Sequence, residues 1–249
     1  MKLSIILRTH DSSSVHANKR FVKNSKKEIL QKCTKSLFDS AKLCENKNDI
    51  SITVIDDHSS SETIDFLKSN LQGLNHTFIN LEKSGNNESM VKAYEAGLRG
   101  KEDFIYFVED DYFHLKNSIL AMMSSWEYFS PKLGEKPLVI VPYDDPLDYL
   151  PDRISPTRIV PGTERHWRQG YHTTQTMLMT KWILMHFWDK FMAFSQYGVI
   201  DGNNEDNTIN LLFTKHEVFL FSPMPFLAFH VCDIPPAVGN WKKLWEEGE

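Results

Sequence analysis

Three groups of residues in this chain have the types and spacing to do chemistry. The first is Glu109, Asp110 and Asp111, which close the apolar run Phe104 to Val108. Three adjacent acids repel one another and resist burial unless a cation is nearby, and a divalent metal carrying a phosphate ligand suits carboxylate oxygens. A solvated turn that ends a strand is the other reading of this segment alone. The second group is Asp56 and Asp57, which close the apolar run Ile50 to Ile55 in the same way. The third is Glu205 and Asp206, ahead of the apolar positions Ile209, Leu212 and Phe213. These two suit a general base, and they equally suit an acidic helix N-terminus favoured by the helix dipole.

The elements that position these groups follow from pattern. Leu3 to Arg8 reads as a strand, and the polar loop Thr9 to Lys23 follows it. Ser25 with Glu28 forms a capping box before a helix whose apolar positions are Ile29, Cys33, Leu37, Ala41 and Cys44. Ile50 to Ile55 is the second strand. Ser59 with Glu62 predicts a second capping box, and the helix it opens carries Ile64, Leu67 and Leu71. Thr77 to Leu81 is the third strand, Gly85-Asn86-Asn87 opens a helix that runs to Gly100, and Phe104 to Val108 is the fourth strand. Strands alternating with helices at this spacing predict a parallel α/β sheet, whose ligands sit at the carboxyl ends of the strands. That edge gathers Thr9, Asp11, Asp56, Asp57, Gly85 to Asn87, and Glu109 to Asp111. Acids after both the second and the fourth strand favour the ligand-site reading over solvated turns.

Beyond Asp111 the pattern changes. Asn117 to Phe129 reads as a helix and Leu138 to Val141 as a fifth strand. Tyr143 to Pro161 is long and rich in Pro and Asp, a texture typical of functional loops. Five of the six tryptophans lie at or after Trp167, so the second half reads as an elaboration of one domain.

Totals set the limits. The chain has 249 residues, 41% of them hydrophobic, and a formal net charge of -5, which gives no electrostatic reason to expect nucleic acid. The basic run from Lys19 to Lys47 reads as a solvated helix face. Cys33 and Cys44 fall about 16 Å apart along one helix, too far to bridge. With Cys232 the only other cysteine, a reduced, cytoplasmic setting is expected. Met1-Lys2-Leu3 begins no signal-peptide pattern. The apolar stretch Met177 to Phe194 is broken by Lys181, His186, Asp189 and Lys190, so no membrane span is expected; contact at a membrane surface stays compatible.

Taken in order, these residues resemble the GT-A fold glycosyltransferases, in particular the inverting family 2 type. Leu3 to Asp11 is similar to the family's first strand and nucleotide-contacting turn, and Val54 to Ser60 to its strand-Asp-Asp-x-Ser segment. Gly85-Asn86-Asn87 with Ala93 and Gly97 resembles its Asn/Gly-rich turn and Ala-x-x-x-Gly helix. Glu109 to Asp111 resembles its DXD-type motif, Asn204-Glu205-Asp206 its later Glu-Asp motif, and His230 a late metal ligand. The resemblance spans roughly residues 2 to 232.

It implies a single GT-A domain over residues 1–249, with a mostly parallel central sheet flanked by helices. Residues 1–115 would form the nucleotide-sugar half and 116–249 an elaborated acceptor half. It further implies a metal-dependent, inverting transfer of sugar from a nucleotide-diphosphate sugar to a glycan, lipid-linked or other hydroxyl acceptor. Asp111 and His230 would hold Mn2+ or Mg2+. Thr9, Asp11, Asp57, Asn86, Glu109 and Asp110 would contact the donor, with Asp206 as base and Glu205 beside it. Trp167, Tyr171 and His172 would offer the acceptor an aromatic platform or simply fill a core.

Three departures bear on this. His58 stands where the family has Gly, Glu109 stands where it has Asp, and the acceptor-side Gln/Arg-x-x-Arg-Trp segment of processive synthases is missing, which argues for a non-processive enzyme. A nucleotidyltransferase would want a Gly-rich phosphate loop after the first strand, where Thr9 to Ser14 has no Gly. A dinucleotide oxidoreductase would want G-x-G-x-x-G there. A catalytically silent nucleotide- or sugar-binding module is the remaining alternative, and the joint presence of a metal motif and a base candidate argues against it.

Overall fold

The computed structural model describes residues 1–12, 20–44, 49–134, 136–153, 156–173, 175–232 and 234–248. Lys19 and Lys47 of the basic run, Ser13 and Ser14 of the first loop, and 154–155 of the Pro/Asp-rich segment lie outside the described residues.

The first half follows the sequence pattern. Strand β1 (Leu3–Thr9), helix α1 (Lys26–Lys42), β2 (Ile50–Asp56), α2 (Ser61–Asn70), β3 (Asn75–Asn80), α3 (Asn86–Arg99) and β4 (Phe104–Glu109) alternate along the chain. β1 lies between β2 and β4, parallel to both, and β3 adds in parallel outside β2. β1 and β4 are buried almost throughout, as expected of strands covered on both faces, whereas the polar strand β3 is a largely exposed edge.

The helices start where their caps dictate. Ser25 and Glu28 form the expected capping box, and Ile29, Cys33, Leu37, Ala41 and Cys44 are all buried. The cap of α2 is Ser60, not Ser59, and Ser60 accepts from the Thr63 amide. The shift has a cause: the Asp11 carboxylate accepts from the Ser60 amide at 3.0 Å, while the Ser59 amide is taken by Asp56. In α3, Ala93 and Gly97 face the sheet. A Cβ on Gly97 would lie 3.1 to 3.2 Å from Phe107, Ile105 and Leu184, so the helix approaches β4 as closely as it does because that position is glycine.

The second half is mixed rather than parallel. β5 (Tyr112–His114), α4 (Ser118–Phe129), β6 (Leu138–Ile140), β7 (Ile159–Pro161), β8 (His166–Gly170), β9 (Met177–Thr180), α5 (Lys181–His186), α6 (Trp188–Phe194), α7 (Leu211–Thr214), β10 (Phe219–Met224), β11 (Ala228–His230) and α8 (Trp241–Glu247) complete the chain. Among the described residues the main sheet runs β3-β2-β1-β4-β9-β6-β10-β8-β7. β9 is antiparallel to both β4 and β6, and it follows β8 in the chain rather than a crossover helix. No helix of the described residues is long and apolar enough to cross a membrane, and all three cysteines are free.

A short second sheet pairs β5 with β11, antiparallel, with His230 opposite Tyr112. It rests on its own apolar cluster of Ile29, Cys33, Phe113, Phe226, Phe229, Val231 and Trp245, drawn from α1, β5, β11 and its flanks, and α8. This pairing, invisible to local pattern, carries His230 to the end of β4.

Candidate active site

The carboxyl ends of β1, β2 and β4, the start of α3, the β5–β11 pair and the segment after β6 surround one cavity of about 990 Å³. Thr9, Asp57, Asn86, Glu109, Asp110, Asp111 and His230 all line it. A second hollow of about 640 Å³ beside β3 and α3 holds none of these residues.

The acidic strand end is satisfied by cations of the chain itself. Arg8 Nη1 lies 3.5 Å from Glu109 Oε1. Arg8 also donates to Ser89 Oγ at 3.0 Å and to Gln175 Oε1 at 2.6 Å, and it contacts Asn86 Oδ1, so it ties β1 to α3 and to the residues just before β9. Lys26 Nζ, at the first position of α1, is ion-paired to Asp110 Oδ1 and lies 3.8 Å from Asp111 Oδ2. Asp110 Oδ2 accepts from the His10 amide at 2.7 Å. Asp111 Oδ1 is buried without a hydrogen bond, 3.4 Å from His230 Nε2. The His230 ring is held flat against Tyr112, centroids 4.5 Å apart and planes 3° from parallel, and the Val231 amide donates to Asp111 O at 2.8 Å.

These contacts sort the protonation states. Burial raises the Glu109 and Asp110 carboxyls above the usual range, against the pull of Arg8 and Lys26 respectively. Burial would raise Asp111 too, but His230 and Lys26 hold it well below. Burial would lower His230 and Lys26, and their acid partners raise both instead. Asp57 is lowered: burial opposes the shift, and His58 and the Gly85 amide, which donates to Asp57 Oδ2 at 2.9 Å, are among the contacts that produce it.

Asp111, and His230 once its ring has released its proton, have the chemistry for a divalent ion. Their facing atoms stand at a separation two ligands of one ion can share, and one of them is a buried oxygen with no other hydrogen bond. Among the described residues no set of three or more His, Cys, Asp or Glu side chains gathers for a metal. The pair therefore fits an ion that draws the rest of its shell from water and substrate phosphates, as Mg2+-type sites do.

Other expected residues stand elsewhere. Asp11 does not line the cavity; its Oδ2 accepts from Ser60 Oγ and Thr63 Oγ1 at 2.6 and 2.5 Å, fastening the first loop to α2. Trp167 cannot form an acceptor platform: it is 0% exposed, packed in the main core with its ring centroid 6.0 Å from that of Phe129. The alternation of β8 turns it inward while His166 faces out. Tyr171 and His172 are exposed outside the cavity lining, and His172 Nε2 lies 3.2 Å from Asp145 Oδ2. Glu205 and Asp206 sit on a surface turn and do not line the cavity. Asp206 Oδ1 accepts from Asn210 Nδ2 at 3.0 Å, Asn210 Oδ1 accepts from the Thr173 amide at 3.0 Å, and Thr173 Oγ1 is 3.1 Å from the hydroxyl of Tyr143, a cavity residue.

Arg8, Arg20, Lys26 and the Tyr143-Asp144-Asp145 corner also line the cavity; the sequence pattern reads Arg20 and Lys26 only as part of a solvated basic face, and the corner only as the head of a functional loop with no residue singled out. Two signals were present: an arginine ending an otherwise apolar strand, and a lysine at the first residue of a helix, where the dipole disfavours a cation.

No match to this sequence was found among curated proteins. Among solved structures, S. aureus TarS matches with TM-score 0.56 at 15% identity, over 93% of this chain and 37% of that one. TarS 1-349 in complex with UDP matches with TM-score 0.52 at 16% identity, over 88% and 57%. TarS 1-349 in complex with UDP-GlcNAc matches with TM-score 0.50 at 16% identity, over 88% and 56%. These likenesses are ones of fold, and the chain spans between 37% and 57% of the length of those structures. The family model described as "Glycosyl transferase family 2" matches residues 21–202, nearly three quarters of the chain. With its mixed α/β sheet, whose central strands are mostly parallel, and its acidic strand ends, the chain belongs to glycosyl transferase family 2.

Proposed function

We propose that this chain moves a sugar from a nucleoside diphosphate sugar to an acceptor hydroxyl, with inversion, one sugar per encounter, and with Mn2+ or Mg2+. The observation that carries the reading is the Asp111–His230 pair, with its unbonded buried oxygen, at the ligand-binding edge of the sheet. TarS structures with UDP and UDP-GlcNAc support a uridine donor. A bound divalent ion would offset charge building on the departing diphosphate without a proton transfer. Thr9, Asp57 and Asn86 hold the nucleoside side of the cavity, and Glu109, braced by Arg8, faces the ribose. We read residues 1–115 as the donor half and 116–249 as the acceptor half of one domain, at work in a reducing cytoplasm where its free cysteines persist.

The acceptor hydroxyl loses its proton to a base as its oxygen attacks the anomeric carbon and the bond to the diphosphate oxygen breaks. Asp206 takes this role by its place in the family pattern, and its hydrogen-bond chain to Tyr143 supports it. A specific observation favours a second candidate. Asp144 lines the cavity, is 6% exposed and has one oxygen without a hydrogen bond, 3.4 Å from Arg168 Nη1; burial raises its carboxyl above the usual range against the pull of Tyr149 and Arg168. Nucleoside diphosphate release by Asp206→Asn and Asp144→Asn separates the two. Loss of about 100-fold or more in turnover identifies the base, and full turnover in Asp206→Asn removes the first assignment.

A further inference from the structure

The three acids at the end of β4 are chemically alike and adjacent, so a divalent ion has no intrinsic reason to choose among them. The chain makes the choice. Glu109 is drawn to Arg8. Both oxygens of Asp110 are occupied, one by Lys26 Nζ and the other by the His10 amide. Asp111 Oδ1 alone is left buried without a hydrogen bond, facing His230.

The placement of Lys26 is otherwise hard to account for. It opens α1, the end of a helix where a cation is disfavoured, and its side chain is 9% exposed, where an ammonium ion is costly. A solvated lysine at that position would turn outward, as Lys27 does towards Glu62 on the surface. Lys26 instead points under the helix into the strand end.

We propose that Lys26 is a positioning residue that withdraws Asp110 from metal binding. The ion is thereby confined to Asp111 and His230, and its affinity depends on donor phosphates. The proposal rests on the metal reading above. Two adjacent free carboxylates would chelate a hard cation without substrate. With one of them locked and a positive charge beside the other, the unliganded site is weak, and the diphosphate supplies the missing oxygens and negative charge.

The test is Mn2+ binding to the full chain, read from the loss of the free-ion electron paramagnetic resonance signal, with and without UDP. Without UDP, Lys26→Met binds Mn2+ about tenfold more tightly than wild type, since the nearby positive charge is gone and Asp110 is released. Lys26→Arg restores the wild-type affinity and its dependence on UDP. Asp110→Asn weakens Mn2+ binding only about tenfold or less, through the Lys26 charge it leaves uncompensated beside Asp111, whereas Asp111→Asn abolishes binding, as expected for losing a ligand rather than a neighbour. A lysine that merely stabilised the fold would lower the melting temperature without tightening Mn2+ binding. Unchanged or weaker Mn2+ binding by folded Lys26→Met, with wild type binding normally, overturns the role of Lys26 alone. If Lys26→Met does not fold, Asp110→Asn decides: a loss equal to that of Asp111→Asn overturns the proposal. No Mn2+ binding by wild type even with UDP overturns both the metal reading and this inference.

Discussion

His114 gives a prediction whose size follows from its surroundings. It sits on β5, three residues after Asp111, and is 2% exposed. Its Nε2 is 2.6 Å from the Tyr106 hydroxyl and its Nδ1 is 2.9 Å from Tyr112 O. In the neutral ring Nδ1–H donates to the carbonyl and Nε2 accepts the tyrosine proton. Protonation would bury a charge and force the Tyr106 hydroxyl to turn from donor to acceptor. Burial accordingly lowers the His114 pKa to about 4 from 6.5. A histidine with a depressed folded pKa contributes stability that is complete above the unfolded value and lost as pH falls towards the folded one. That depression corresponds to about 3 kcal/mol lost between pH 7 and pH 4. Urea unfolding of wild type and His114→Gln across that range isolates it, because acid titrations shared by the two proteins cancel in the difference. Wild type should lose about 3 kcal/mol relative to the variant between pH 7 and 4. A difference that stays constant over that range refutes the reasoning.

Three further outcomes follow from packing and loop contacts. Trp167→Ala should destabilise by about 3–5 kcal/mol, read by denaturant midpoint, while Trp167→Phe costs far less because the indole nitrogen has no hydrogen bond to lose. Gly97→Val should destabilise by about 1–3 kcal/mol, since its added atoms meet Phe107, Ile105 and Leu184 within van der Waals distance; a neutral effect on thermal unfolding would contradict the close approach of α3 to β4. Asp11→Ala should lower stability by about 1–2 kcal/mol through loss of its bonds to Ser60 and Thr63, and unfolding midpoints equal to wild type would return Asp11 to the donor site.

The parts legible in the sequence were those set by local physics. The cap at Ser25, the apolar stripe of α1 and the acid-terminated strands β2 and β4 each announce themselves within a few residues. Because parallel strands share one ligand-binding edge, the local signals also placed Thr9, Asp57, Asn86 and Glu109 to Asp111 around one cavity. Pairings between distant segments were not legible. The β5–β11 ladder joins residues more than a hundred positions apart, and β9 inserts antiparallel beside β4 although β5 to β8 lie between them in the chain. His230 was reached through the family resemblance, and the ladder supplies the physical reason it stands near Asp111. Trp167 misled because aromatics among arginines look surface-active, whereas strand alternation buried the ring and left its polar neighbour outside. Lys26 escaped notice because a lysine in a basic run reads as solvated, and only the fold turns it under the helix.

The central claim is a nucleoside diphosphate site that works through a divalent ion at Asp111. Its most direct test is the melting temperature of the full chain with a panel of nucleoside diphosphates, with and without Mn2+, for wild type and Asp111→Asn. With ligand at about a hundred times its dissociation constant, binding should raise the wild-type midpoint by about 5–10 °C. That rise should require Mn2+ and vanish in Asp111→Asn. No Mn2+-dependent rise with any nucleoside diphosphate, or an equal rise in Asp111→Asn, would contradict the account.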